Sequence, residues 1–133
     1  MPDVKGFLAE NDLVDSLTDA ECVALLASRT FGRVGVTSGG LPVILPVRYL
    51  YADGAITFRT GIGTKLRAAE SGDVLAFEVD AYDPNTSKGW SVLAQGRASI
   101  LPTEPGPAGD VRSHCVRLHC ELLTGRRLSS ADG

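Results

Sequence analysis

The stretch Phe31-Gly32-Arg33-Val34-Gly35-Val36-Thr37-Ser38-Gly39-Gly40-Leu41-Pro42-Val43-Ile44-Leu45-Pro46-Val47-Arg48-Tyr49-Leu50-Tyr51-Ala52-Asp53-Gly54-Ala55-Ile56-Thr57-Phe58-Arg59 decides the architecture. β-Branched and aromatic residues dominate it, and Phe31–Thr37 alternates as a half-buried strand does. Ser38-Gly39-Gly40 and Asp53-Gly54 are turn signals that send the chain back on itself. Leu41–Tyr51 reads as one longer apolar strand. Pro42 and Pro46 restrict it to an edge or a bulged course, because proline cannot donate to a ladder.

Upstream of this stretch, Thr18-Asp19-Ala20-Glu21 is a capping box. Cys22, Leu25 and Leu26 follow at helical spacing, which predicts a helix ending near Ser28. Cys22 reads as a small buried apolar residue. Residues 1–16 show no clear periodicity and are expected to lie loosely over the domain. Downstream, Lys65–Glu70 reads as a short helix stopped by Gly72. Val74–Asp80, Trp90–Leu101 and Ser113–Leu123 read as strands. Asp83–Gly89 reads as a polar loop, Pro102–Arg112 as a connector, and 124–133 as a loose tail. The expectation is one domain over 1–133, mainly β. It is an antiparallel split barrel of about six strands, with one N-terminal helix and one short helix over its openings.

Composition limits the function classes. Of 133 residues, 44% are hydrophobic and 22% charged, an ordinary globular balance. No apolar run approaches the ~18 residues of a membrane span, and no signal peptide is visible, so the cytoplasm is the expected location. Residues 1–21 carry six of the 16 acids and one of the 13 bases. The remainder therefore holds ten acids and twelve bases. That is too even for a nucleic-acid face, but it leaves room for a small anionic ligand. Three cysteines make no disulfide framework. On a strand, Cys115 and Cys120 fall on opposite faces, as do His114 and His119, so no metal set is expected.

The segment Phe58-Arg59-Thr60-Gly61-Ile62-Gly63-Thr64-Lys65-Leu66-Arg67 carries the candidate chemistry. It has three cations, no acid, two threonine hydroxyls, and glycines that let backbone approach a ligand. Lys65 starts a short helix, where free amides also favour an anion. A phosphate group suits such a loop. A solvated β-to-α connection has the same composition, and the context is not that of a P-loop. Trp90, the one tryptophan, reads either as a core anchor at a strand start or as a wall against a flat ring, with Ser91 beside it. Pro46, Val47 and Arg48 lie where proline leaves backbone groups free to meet a polar ligand edge.

The order of these segments resembles the pyridoxamine 5′-phosphate oxidase-like flavoproteins, in particular short actinobacterial-type members. The resemblance runs through Gly32-Arg33-Val34-Gly35-Val36, Pro46-Val47-Arg48-Tyr49, Arg59-Thr60-Gly61 with Lys65-Leu66, Phe77-Glu78-Val79-Asp80, Gly89-Trp90-Ser91-Val92 and Gly96-Arg97-Ala98. It implies a split-barrel homodimer with FMN at the subunit interface and a small-molecule substrate. Arg59, Thr60, Thr64, Lys65 and Leu66 would hold the phosphate, and Pro46, Val47 and Arg48 would meet the ring edge. Trp90 and Ser91 of the other subunit would close the site. The implied activity is that of an FMN-dependent oxidoreductase, with Arg48 stabilising the reduced ring and no catalytic residue assigned. A flavin-holding or sensing module without turnover is the alternative, as is the same fold using a deazaflavin or a haem.

Overall fold

In the computed structural model, residues 12–61, 63–101 and 114–130 are described. The capping box forms as the sequence predicts. The Glu21 amide donates to Thr18 Oγ1 at 3.2 Å, and the Thr18 amide donates to Glu21 Oε1 at 3.0 Å. These bonds open helix α1 (Asp19–Ala27), which Ser28 closes. Cys22 and Leu26 are its buried residues. Burial pushes the Cys22 thiol up, so it behaves as an inert packing group.

Strand β2 (Phe31–Ser38) turns at Gly39 and Gly40, both with positive φ, into β3 (Leu41–Arg48). The predicted single strand 41–51 is in fact two. It breaks at Tyr49, whose amide donates to the Thr30 carbonyl and whose hydroxyl donates to the Leu26 carbonyl at 2.6 Å. Tyr49 is thereby bound to the end of α1, and its ring packs edge-on against Phe77 at 4.6 Å. The chain then enters a different part of the sheet as β4 (Leu50–Ala52). It reverses at Asp53 and Gly54, with φ of 51° and 75°, into β5 (Ala55–Thr60).

Helix α2 (Thr64–Glu70) follows, then β6 (Val74–Asp83) and the long β7 (Lys88–Leu101). Asp83 and Lys88 pair across this hairpin, so the polar loop is shorter than its composition suggests. β8 (His114–His119) and β9 (Leu122–Ser130) complete the sheet. The connector at 102–113 lies outside the described residues.

Two readings of the termini need correction. Residues 12–16 form β1 (Asp12–Ser16), paired antiparallel to β9, and residues 124–130 of the expected loose tail belong to β9; residues 1–11 and 131–133 lie outside the described residues. β9 pairs with β7 over Gly89–Gln95 as well as with β1. Neither segment alternates clearly in sequence. Both are recruited by open backbone edges that only the assembled sheet presents. Nine strands and two helices thus occur among the described residues, against the expected six strands and two helices.

The sheet runs β3-β2-β6-β7-β8-β5-β4 and does not close; β3 and β4 are its ends. β3 approaches β5 without hydrogen-bonding to it, which is the split in the barrel. Inside lie Val34, Leu75, Phe77, Val79, Val92, Ile56, Val116 and Leu118, the inward members of each alternation. β7 ties the two halves together. One of its edges pairs first with β9, at Gly89–Gln95, and then with β8, at Ala98–Leu101. Gly96 marks the switch, where the chain between β8 and β9 crosses directly over it.

Candidate functional site

β5 delivers the cationic segment. Arg59 projects to solvent near the strand end, opposite Cys115 on β8. Thr60 is buried to 8% exposure, and its hydroxyl donates to the Gly61 carbonyl at 3.2 Å. Thr64, Lys65 and Leu66 open α2, directly after Gly63. No side chain caps this helix, and the Arg67 amide donates to the Gly63 carbonyl at 3.0 Å. Seven residues make about two turns, so the helix dipole adds little there.

Pro46, Val47 and Arg48 end β3 at the split. Val47 points inward, buried opposite Gly32. Pro46 and Arg48 point outward, opposite Arg33 and Phe31. β3 has no strand partner on its other edge among the described residues, so backbone groups beside Pro46 are free for a ligand. β3 comes near β5, the strand that carries Arg59 and Thr60.

Trp90 and Ser91 sit elsewhere, at the start of β7. Trp90 is half-buried against the core, with the Arg29 guanidinium 5.4 Å from its ring centroid. Trp90 also lines open clefts. Ser91 points to the opposite face, between Asp80 and Arg126. Arg59 reaches the far end of β7 through Cys115, which pairs with Leu101. Eleven residues separate Trp90 from Leu101, a contour of about 36 Å. Within one chain, the cationic segment and the tryptophan lie toward opposite ends of the longest strand.

Two clefts flank Trp90. The smaller, about 340 Å³, includes Ser91, Asp80 and Arg126. The larger, about 510 Å³, includes Lys88, Asp83 and Arg127. Tyr82, Gly89, Trp90 and Leu128 line both. Volumes of this size are those of small-molecule sites.

The outer face of the sheet holds an ion cluster that sequence reading missed. Arg33 Nη1 lies 3.2 Å from Glu78 Oε1 and 3.7 Å from Asp80 Oδ2. Desolvation, then hydrogen bonding and repulsion from Asp80, push the Glu78 carboxyl up to about 7, against the opposing pull of Arg33. The alternation Phe77-Glu78-Val79-Asp80 already placed both acids on one face. Arg33 comes from β2, and only the register Arg33↔Glu78 brings it there. His114 is half-buried and His119 exposed on β8. No cluster able to hold a metal ion occurs among the described residues, and none of their helices is long and apolar enough to cross a membrane.

The open antiparallel barrel is the fold of a known family. Comparison with known proteins agrees: the sequence model described as pyridoxamine 5′-phosphate oxidase matches residues 18–127, and the chain belongs to that family. An uncharacterized protein of Mycobacterium tuberculosis, Rv0080, is 40% identical over 84 residues. That match takes in 59% of this chain and 55% of the relative, so the chain spans about half the length of that relative. Among solved structures, the FAD binding protein from Mycobacterium smegmatis is 33% identical with a TM-score of 0.70, over 86% of this chain and 98% of that one. A FAD-binding protein from Mesorhizobium loti is 22% identical with a TM-score of 0.77, over 90% of this chain and 99% of that one; it shows the shared fold.

Proposed function

We propose that this chain binds a flavin between two copies of itself and serves as a flavin-dependent oxidoreductase for a small molecule. What carries the reading is β5, which brings exposed Arg59 and buried Thr60 to the strand end that α2 follows, while β3, near β5, keeps one edge without a strand partner among the described residues. The family assignment and the FAD-binding relative at 33% identity support it. The part of the ligand this segment recognises is the ribityl phosphate with the ring, which FMN and FAD share.

In this reading Arg59, Thr60, Thr64, Lys65 and Leu66 bind the phosphate through charge-assisted hydrogen bonds. Backbone groups of Pro46 and Val47 meet the polar ring edge, and Arg48 places positive charge where the reduced ring gains negative charge. Bound flavin would supply the hydride or electron transfer, and the chain supplies binding, orientation and electrostatics. Trp90 and Ser91 come from the second copy, because they and Arg59 lie toward opposite ends of β7. A second copy would have exposed apolar side chains to cover: Phe31, Ile44, Val74 and Leu122 project from the outer side of the sheet, around the Arg33–Glu78–Asp80 cluster.

The test is the visible absorption spectrum of the purified protein, followed by flavin titration of variants. Arg59→Ala and Lys65→Ala should each weaken flavin binding by about ten-fold or more, the cost of one charge-assisted contact, with folding intact. Mixing Arg59→Ala with Trp90→Leu subunits should restore flavin to about a quarter of sites, since only mixed dimers regain one complete site. A colourless protein that takes up neither flavin overturns the reading. Failure of the mixture to recover binding overturns the shared site.

A further inference from the structure

One half of the barrel is built from β4, β5, β8 and the end of β7. Its outer face carries three arginines, of which the flavin reading uses Arg59 alone. Arg59 on β5 pairs with Cys115 on β8, and Arg117 stands two residues further along β8. Arg117 in turn pairs with Ser99 on β7, and Arg97 stands two residues from Ser99. Residues two apart on a strand share a face, so Arg59, Arg117 and Arg97 do as well. Phe58, Val116, Leu118 and Ala98 alternate with them and are buried, so that face is the outer one. Each arginine is the diagonal neighbour of the next, about 7–8 Å away, and both steps run the same way along β8. The three form a straight stripe about 15 Å long. We propose that this stripe docks a protein partner through an extended segment with acidic side chains at alternate positions.

The charge is one-sided. The chain as a whole has a formal charge of −3, yet β4, β5, β7 and β8 contain no Asp or Glu. Asp53 and Glu121 lie only in the turns that bound one end of the face. All three arginines are exposed. None is in an ion pair among the described residues, where the ion pairs take Arg33 and Arg127. Thr57, Ser99 and Cys115 stand between the arginines with short side chains, so a chain can lie flat across them. Guanidinium forks hold carboxylates by paired, charge-assisted hydrogen bonds. On an extended chain, alternate residues point the same way and recur about every 6.8 Å, close to the step of the stripe. A single nucleic-acid strand fits less well, because it needs aromatic side chains for its bases. No Phe, Tyr or Trp shares this face; Phe58 and Tyr51 pack on the core.

The probe is a dye-labelled peptide of alternating glutamate and threonine, titrated with the full chain in low salt and followed by fluorescence anisotropy. Binding should be saturable, and should weaken as salt rises to about 0.15 M, where the screening length falls to about 8 Å. Arg117→Glu and Arg97→Glu should each weaken it about ten-fold or more, since a repulsion replaces a charge-assisted contact. Both side chains are exposed, so circular dichroism of the variants should match the parent. Lys88→Glu makes the same change of charge at the other end of β7 and should leave the affinity within about two-fold. Absence of saturable binding overturns the proposal. So does equal weakening by Lys88→Glu and Arg117→Glu, which reduces the stripe to an effect of net charge. Oligothymidylate binding more tightly than the peptide also overturns it, and makes the face a nucleic-acid surface. Arg117 and Arg97 stand outside the flavin site proposed above, so none of these outcomes decides whether flavin binds.

Discussion

Replacing Gly96 by alanine should be among the most damaging single-methyl additions to this chain. Gly96 lies where β7 exchanges β9 for β8, and the segment joining those strands passes over it. A Cβ there would stand 1.6 Å from the His119 carbonyl oxygen, 2.9 Å from its carbon and 3.1 Å from the Glu121 amide nitrogen. All three are backbone atoms and cannot rotate away. Ordinary contact requires the crossing segment to retreat by roughly 2 Å, given optimal separations near 3.5 Å. Two hydrogen bonds hold that segment: Glu121 amide to the Gln95 carbonyl and Cys120 amide to the Gly54 carbonyl, both 3.0 Å. Losing both costs about 2 kcal/mol, and the strain of overpacking adds about 1–3 kcal/mol. The sum, about 3–5 kcal/mol, is a large part of the ~5–15 kcal/mol that stabilises a typical domain. Gly35→Ala is the control, because its Cβ would meet Ala76 Cβ at 3.6 Å, an ordinary contact, and it should stay within about 0.5 kcal/mol of the parent. Urea unfolding followed by far-ultraviolet circular dichroism gives both numbers. If Gly96→Ala lies within 1 kcal/mol of Gly35→Ala, the crossing as described is wrong.

Glu78→Gln tests the ion cluster. The folded-state pKa near 7 exceeds the ordinary 4.5, so the fold binds the proton better than the unfolded chain does. Glu78's contribution is thus greatest below about pH 4.5 and is lost as pH rises to about 7. After allowance for solvent screening of a partly exposed group, the variant should gain about 1 kcal/mol over the parent at pH 8 and nothing at pH 4. A pH-independent difference would remove the cluster from the account. Tyr49→Phe deletes the buried hydroxyl bond to Leu26 and should cost about 1 kcal/mol in thermal or urea unfolding, with the Phe77 contact kept. Thr18→Ala should cost about 1 kcal/mol through the lost cap, and Thr18→Ser should restore most of it; equal losses in the two would argue against capping.

Local chemistry made much of this protein legible in advance. The capping box, the Asp53-Gly54 reversal, the alternation of β2 and β6 and the stop at Gly72 each depend on residues a few positions apart. Short-range sterics and hydrogen bonding decide such features. The cationic run 59–67 was visible for the same reason, as was the family resemblance. Long-range pairing was not legible. β1 and β9 carry weak alternation; β9 becomes a strand because β7 offers an open edge, and β1 because β9 does. The 41–51 run looks continuous, but Tyr49 leaves the ladder to bind the end of α1. The site divides along the same line. Sequence alone singled out the cationic, glycine-containing run 59–67 as the phosphate candidate, because charge and glycine content are local properties. Only the tertiary structure decided that Arg33 joins Glu78 and Asp80. It alone placed Trp90 between two clefts, and set Trp90 and Arg59 toward opposite ends of one strand. Those relations depend on strand register and on where β7 changes partner, and no single segment encodes either.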